Sequence, residues 1–76
     1  MEINVFLENF VDILDNTDAS SIKSDTVFRD LDEWDSLTAL SLIAMADDEY
    51  SVKLTGEDIK ASITLQDIFN KIESKS

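Results

Sequence analysis

The sequence predicts an all-α fold, a small bundle of three main helices and one short helix with a long ordered loop after the first helix. Apolar residues recur at helical spacing in three stretches of the chain. Two threonine-based signals typical of helix starts stand in the second half. The chain has one Gly and no Pro, so it lacks the residues that tight hairpin turns favour.

The first helix is indicated by apolar residues at i, i+4, i+7 and i+11, namely Ile3, Leu7, Phe10 and Leu14. This spacing predicts one face packed against a core. Polar residues that favour turns cluster at 15–18, where we expect the helix to end.

Residues 16–35 carry no helical or strand pattern, and so long a segment is unusual in a compact domain. The segment nevertheless contains five large apolar residues: Ile22, Val27, Phe28, Leu31 and Trp34. We therefore expect an ordered loop that packs down over the helices, and long ordered loops are often functional.

The second helix is expected to start at Asp35 or Ser36. Its apolar positions are too many for one narrow stripe, so it is either central to the fold or presents apolar surface to a partner. It ends in three acids at 47–49. Negative charge is unfavourable at the carboxyl end of a helix, which indicates that these acids have a use.

Two further helices follow capping signals at residues 55–58 and 64–67. The first signal predicts a short helix through Ile59 and Ala61. The second predicts a last helix whose apolar stripe is Ile68, Phe69 and Ile72. We expect residues 1–76 to form a single domain with a frayed tail at 74–76.

Charge and composition exclude several classes of function. Seventeen Asp and Glu against six Lys and Arg give a formal net charge of -11, which argues against nucleic-acid or anionic-membrane binding. Without Cys or His, the chain has no thiolate nucleophile, no Cys-ligated zinc and no Ser-His-Asp triad. No apolar run is long enough to span a membrane, so we expect a soluble cytoplasmic monomer.

Ser36 is the residue of greatest interest, because it follows the long loop at the predicted start of a helix. One interpretation is an N-cap serine, a common role for Ser at that place. The other is a hydroxyl exposed for covalent modification. A phosphate ester there would lie at a helix N-terminus, where free N–H groups favour an anion.

The Asp-Ser-Leu motif at 35–37, the apolar helix ending in acids at 47–49, and the closing helix signal at 63–67 resemble an acyl carrier protein. The resemblance covers nearly the whole chain. It implies that Ser36 carries 4′-phosphopantetheine as a phosphodiester, installed from coenzyme A by a phosphopantetheinyl transferase. The arm's thiol would hold acyl groups as thioesters, and the chain itself would be a non-catalytic carrier.

The resemblance also implies roles for the neighbours of Ser36. Asp35 would position magnesium and the serine during transfer, besides or instead of capping the helix. Partner enzymes, such as a ketosynthase, an acyltransferase or an acyl-carrier ligase, would bind through basic patches of their own. On this chain the docking surface would consist of Leu37, Thr38, Ser41, Ala44, Asp47 and Asp48. As an alternative to docking, Leu37 could pack in the core. Asp47 and Asp48 could simply form a solvated helix end.

Four residues depart from the familiar fatty-acid carriers. Glu33 stands where those carriers have Gly, and Trp34 precedes the motif. Thr38 and Ser41 stand where they have acids. These departures favour a carrier of a specialised pathway or one with altered partners. We interpret Trp34 as an apolar plug that anchors the loop rather than a contact of the arm.

Three alternatives compete with the carrier interpretation. A calcium-binding loop starting at Asp30 fails, because Asp35 stands at the required Gly and Ser41 at the required Glu; no metal site is expected. An acidic helical interaction module without a cofactor fits the composition. A peptidyl or aminoacyl carrier shares the expected fold, but Trp34 stands where such carriers usually have Gly.

Overall fold

The computed structural model describes residues 2–14 and 19–76, with the exception of the side chain of Ala19. This part of the chain contains four α-helices, α1 to α4, and two short 3₁₀ turns. Their bounds are α1 Ile3–Asp12, turn Ala19–Ser21, turn Phe28–Asp30, α2 Ser36–Tyr50, α3 Gly56–Lys60 and α4 Leu65–Lys75. Within these residues the extended structure is a single isolated bridge between Val27 and Thr64. The all-α prediction is confirmed.

The first helix ends at Asp12, with Ile13 as its C-cap, earlier than predicted, and the predicted stop at 15–18 lies outside the described residues. Its core face is also centred differently. Phe6 and Phe10 are fully buried, whereas Ile3 and Leu7 are only partly buried. The reason is aromatic packing, since the ring of Phe6 lies 5.7 Å from that of Phe69 in α4.

The described part of the long loop, residues 19–35, is packed onto the bundle, as predicted. Phe28 is fully buried, and the ring of Trp34 lies 4.8 Å from that of Phe28 and 6.5 Å from that of Phe10. Backbone hydrogen bonds also tie the loop to the start of α4, from Leu65 N–H to the Thr26 carbonyl (3.1 Å) and from Gln66 N–H to the Ser24 carbonyl (2.8 Å). Trp34 therefore anchors the segment that leads into α2.

Both predicted capping signals form complete capping boxes. Thr55 caps α3 with Asp58 as its reciprocal partner, and Thr64 caps α4 with Asp67. The last helix, α4, continues through Lys75. The Lys75 ammonium lies 2.6 Å from the Asp58 carboxylate and donates to the Lys53 carbonyl. Fraying of residues 74–76 stays a prediction.

None of the helices in the described part of the chain has the length and apolar character that a membrane span requires.

Candidate functional site at the start of the second helix

The start of α2 is capped by Asp35 and not by Ser36. The Asp35 carboxylate accepts a hydrogen bond from the Thr38 N–H at 2.8 Å, and Ser36 is the first residue of the helix proper. The interpretation of Ser36 as the N-cap is therefore wrong, and that of Asp35 as a capping carboxylate is confirmed. In the described part of the chain the Ser36 hydroxyl makes no hydrogen bond, and the residue is exposed.

Thr38 joins the loop to the helix. Its hydroxyl donates to the Glu33 carbonyl at 2.8 Å and lies 3.0 Å from Oδ1 of Asp35. The Thr38 backbone N–H, followed by its hydroxyl, holds the pKa of the Asp35 carboxyl below its ordinary value. Asp35 thus remains ionised beside Ser36, and Thr38 fixes the geometry of the turn that presents the serine.

The position of Ser36 suits a phosphate ester. The dipole of a helix favours an anion at its N-terminus. At the start of α2 the Asp35 carboxylate already accepts the Thr38 N–H, so the dipole is the main contribution there. The fifteen residues of α2 form a full helix behind this end. An exposed hydroxyl at its first position can be esterified by the phosphate of phosphopantetheine, which gives a phosphodiester, without displacing any packed group.

An open hollow of about 410 Å³ adjoins Ser36 on the side that faces α3. Its walls are mainly apolar and come from the loop, from α2 and from α3: Trp34, Ala39, Leu40, Ile43 and Ile59. Arg29 and Lys60 also line it. A hollow of this composition can shelter an apolar group attached close to Ser36.

The opposite side of α2, facing α1, is polar and acidic. Two hollows meet there at Ile13 and Ser41, and their walls include the carboxylates of Asp12, Asp48 and Glu49 and of Glu33 and Asp35. No group of three acidic side chains within 2–14 and 19–76 is arranged to hold a metal ion. Ser36 thus stands between an apolar side and an acidic side.

The residues predicted to dock partners differ in exposure. Leu37 is 70% exposed, so it does not pack in the core. Ala44, Asp47 and Asp48 are exposed, whereas Thr38 and Ser41 are half-buried. Leu40, which is 61% exposed, was not predicted. The excess of apolar positions on α2 was the signal that could have found it.

Comparison with known proteins agrees with this geometry. The family described as the phosphopantetheine attachment site matches residues 4–72. The solution structure of a holo acyl carrier protein from Geobacter metallireducens superposes with a TM-score of 0.76 over 95% of this chain and 82% of that chain. At 20% identity this likeness shows the fold alone. No curated protein matches the sequence.

The family match spans α1 through most of α4, including the loop and the Asp-Ser-Leu turn. The chain therefore belongs to the phosphopantetheine-attachment family, as a non-catalytic carrier that bears covalently attached 4′-phosphopantetheine and receives it from a phosphopantetheinyl transferase.

Proposed function

We propose that this chain is an acyl carrier protein with its 4′-phosphopantetheine arm on Ser36. It holds acyl intermediates and presents them to biosynthetic enzymes of a fatty-acid, lipid or polyketide-type pathway. The observation that carries this proposal is the exposed Ser36 hydroxyl, free of hydrogen bonds within the described residues, in the first turn of α2 beside the apolar hollow. When attached, the arm supplies the thiol that holds the cargo as a thioester.

The residues around Ser36 support the attachment step. Asp35 keeps its negative charge through the hydrogen bonds of Thr38, so it can help position magnesium and the serine in the transferase complex. The helix dipole at this end of α2 favours the phosphodiester once it is formed. The hollow favours an apolar acyl group over a polar aminoacyl group, because its walls are mainly apolar.

Partner enzymes are proposed to dock along α2. Leu37 and Leu40 present apolar surface beside Ser36, and the helix carries no charge between Ser36 and Ala46. Asp47 and Asp48 are exposed at its far end. Acidic residues at that end raise encounter rates with basic partners, and the apolar stretch supplies contacts that salt does not weaken. An uncharged first part and an acidic far end of α2 fit a carrier whose partners differ from those of housekeeping carriers. A cytoplasmic location stays a prediction.

The assignment of Ser36 is tested by modification in vitro. Apo protein incubated with coenzyme A, magnesium and a permissive phosphopantetheinyl transferase is expected to gain one phosphopantetheine, seen as a single mass increase by intact-protein mass spectrometry. Ser36→Ala is expected to gain none and to keep its helical circular dichroism.

Ser74→Ala is the control, since Ser74 is an exposed serine of α4 that lies outside the surface proposed to dock partners. This variant is expected to be modified like the original protein. A modified peptide that contains Ser41 but not Ser36, or a Ser36→Ala protein that still gains mass, contradicts the assignment.

A further inference from the structure

We propose that Arg29 is a positioning residue for the carrier function: it binds the two carbonyls at the end of α3 and so keeps the hollow beside Ser36 open to an apolar cargo. This inference rests on the proposed function, because it concerns the hollow in which that cargo would lie. Arg29 comes from the long loop, and the wall it holds carries Ile59.

Arg29 binds the two backbone carbonyls in a bidentate manner. Nη1 of Arg29 donates to the Ser62 carbonyl at 2.6 Å, and Nη2 donates to the Ile59 carbonyl at 2.6 Å. Both are short, charge-assisted hydrogen bonds. The planar guanidinium can reach two acceptors at once with fixed spacing, whereas a lysine ammonium is a single point charge on a flexible stem. The contact therefore defines where the end of α3 lies relative to the loop.

The position of α3 depends on few other polar contacts. Across the described residues, no hydrogen bond or ion pair joins α3 to α2. An ion pair joins Asp58 of α3 to Lys75 of α4. The polar contacts that position α3 thus come from the loop and from α4, whereas the hollow lies between α3 and α2. At the end of α3 near Ile59, the residue that makes these contacts is Arg29.

The same loop segment also builds the facing wall of the hollow. The Arg29 guanidinium lies 4.9 Å from the centre of the Phe28 ring, and Phe28 packs edge-on against Trp34 at 4.8 Å. Trp34 and Ile59 both line the hollow. Arg29 therefore connects the two walls through a short chain of contacts, so its loss alters the spacing between them.

The alternative is that Arg29 merely satisfies carbonyls at a helix end and contributes to stability alone. An experiment can separate the two roles because the chain has no Cys. Ser36→Cys introduces a single thiol at the edge of the hollow, and a methanethiosulfonate reagent converts it to a mixed disulfide with release of a sulfinate. An octyl group and a methyl group are attached in this way, and the Tm of each product is measured by circular dichroism.

The quantity of interest is the Tm of the octyl product minus that of the methyl product. A group that binds the folded state and not the unfolded chain raises the Tm, so we expect a positive difference of a few degrees when Arg29 is present. Arg29→Gln is expected to abolish this difference. Arg29→Lys, which keeps the positive charge but cannot bind both carbonyls through a planar guanidinium, is expected to lose most of the Tm difference.

Ile72→Val is the matched control, since it removes one methylene from a fully buried residue of α4 that does not line the hollow. It should lower both Tm values and leave their difference unchanged. If Arg29→Gln behaves like this control, or if Arg29→Lys keeps the full difference, the positioning role is overturned. It is equally overturned if the octyl group gives no difference with Arg29 present.

This experiment distinguishes failure of the positioning role from failure of the proposed function, because no transferase is used. Failure of Ser36 to accept phosphopantetheine would remove the carrier assignment and leave the octyl comparison valid as a test of Arg29.

Discussion

At the scale of single residues, Asp35 and Ser36 have different roles in the site. Asp35 supplies the oxygen that caps α2, so the Ser36 hydroxyl next to it is not needed for the cap. Had Ser36 been the N-cap, its oxygen would accept a backbone N–H, and modification would remove the cap. The actual arrangement separates the structural task from the chemical one.

This division predicts different outcomes for two substitutions of Asp35. Asp35→Asn keeps an oxygen that can cap α2, since Asn and Asp are equally good N-caps, and is expected to keep the Tm close to that of the original protein. Asp35→Ala removes the cap and is expected to lower the Tm by several degrees. If the carboxylate positions magnesium, both variants are modified more slowly by the transferase, measured as kcat/KM.

Glu8→Gln, which removes one exposed carboxylate from α1 at a position distant in sequence from the site, is the control for these measurements. Asp35→Asn modified at the original rate would show that the carboxylate acts only as a cap.

At the scale of elements, the second half of the molecule depends on its capping boxes. The helix α3 has five residues, too few to be stable alone, and α4 has eleven. Asp67 accepts hydrogen bonds from the N–H groups of Ile63 and Thr64 at 3.0 and 3.1 Å. These bonds, that of Thr64 foremost, hold the pKa of Asp67 below its ordinary value.

The lowered pKa of Asp67 has a definite consequence for stability in acid. The folded state favours the ionised carboxyl, so the contribution is fully present above the unfolded pKa of about 3.9 and is lost as the pH falls through the folded value. Asp67→Asn cannot titrate. Its free energy of unfolding is therefore expected to fall less than that of the original protein between about pH 5 and about pH 2, measured by urea unfolding.

Glu73→Gln removes one carboxylate from the same helix without touching a cap, and it should keep the original pH dependence. An equally steep loss in Asp67→Asn would place the acid sensitivity at other carboxylates, such as Asp58, whose pKa the Lys75 ammonium lowers most.

At the scale of the whole molecule, the excess of negative charge opposes compaction. Six Lys and Arg cannot neutralise seventeen Asp and Glu. Within residues 2–14 and 19–76 two lysines form ion pairs, Lys53 at 3.2 Å from Asp47 and Lys75 at 2.6 Å from Asp58. The first of these pairs is exposed, so it adds little stability of its own.

Screening is therefore expected to stabilise the protein. The Debye length is about 10 Å at 0.1 M salt, so added salt weakens the repulsion between exposed carboxylates that lie further apart than this. We expect the Tm, followed by circular dichroism at neutral pH, to rise by several degrees from low salt to moderate NaCl. Asp47→Asn with Asp48→Asn should reduce the rise, because two charges are already gone. A Tm that does not change with NaCl contradicts net repulsion.

Much of the molecule could be predicted from local sequence. Helix periodicity and capping signals involve residues a few positions apart, so Thr55 with Asp58 and Thr64 with Asp67 were identified correctly. The Asp-Ser-Leu turn and its context likewise indicated the family, which the match over residues 4–72 shows. These features are readable because their physical causes act within one or two turns of chain.

Other features were decided only by the tertiary structure. Phe6 became the centre of the first helix face because α4 brings Phe69 against it, and Leu40 remained exposed because α3 stands apart from it across the hollow. Arg29 reaches carbonyls some thirty positions further along the chain. Such contacts depend on how separate elements pack, and the spacing of residues along one element carries no information about its distance from another.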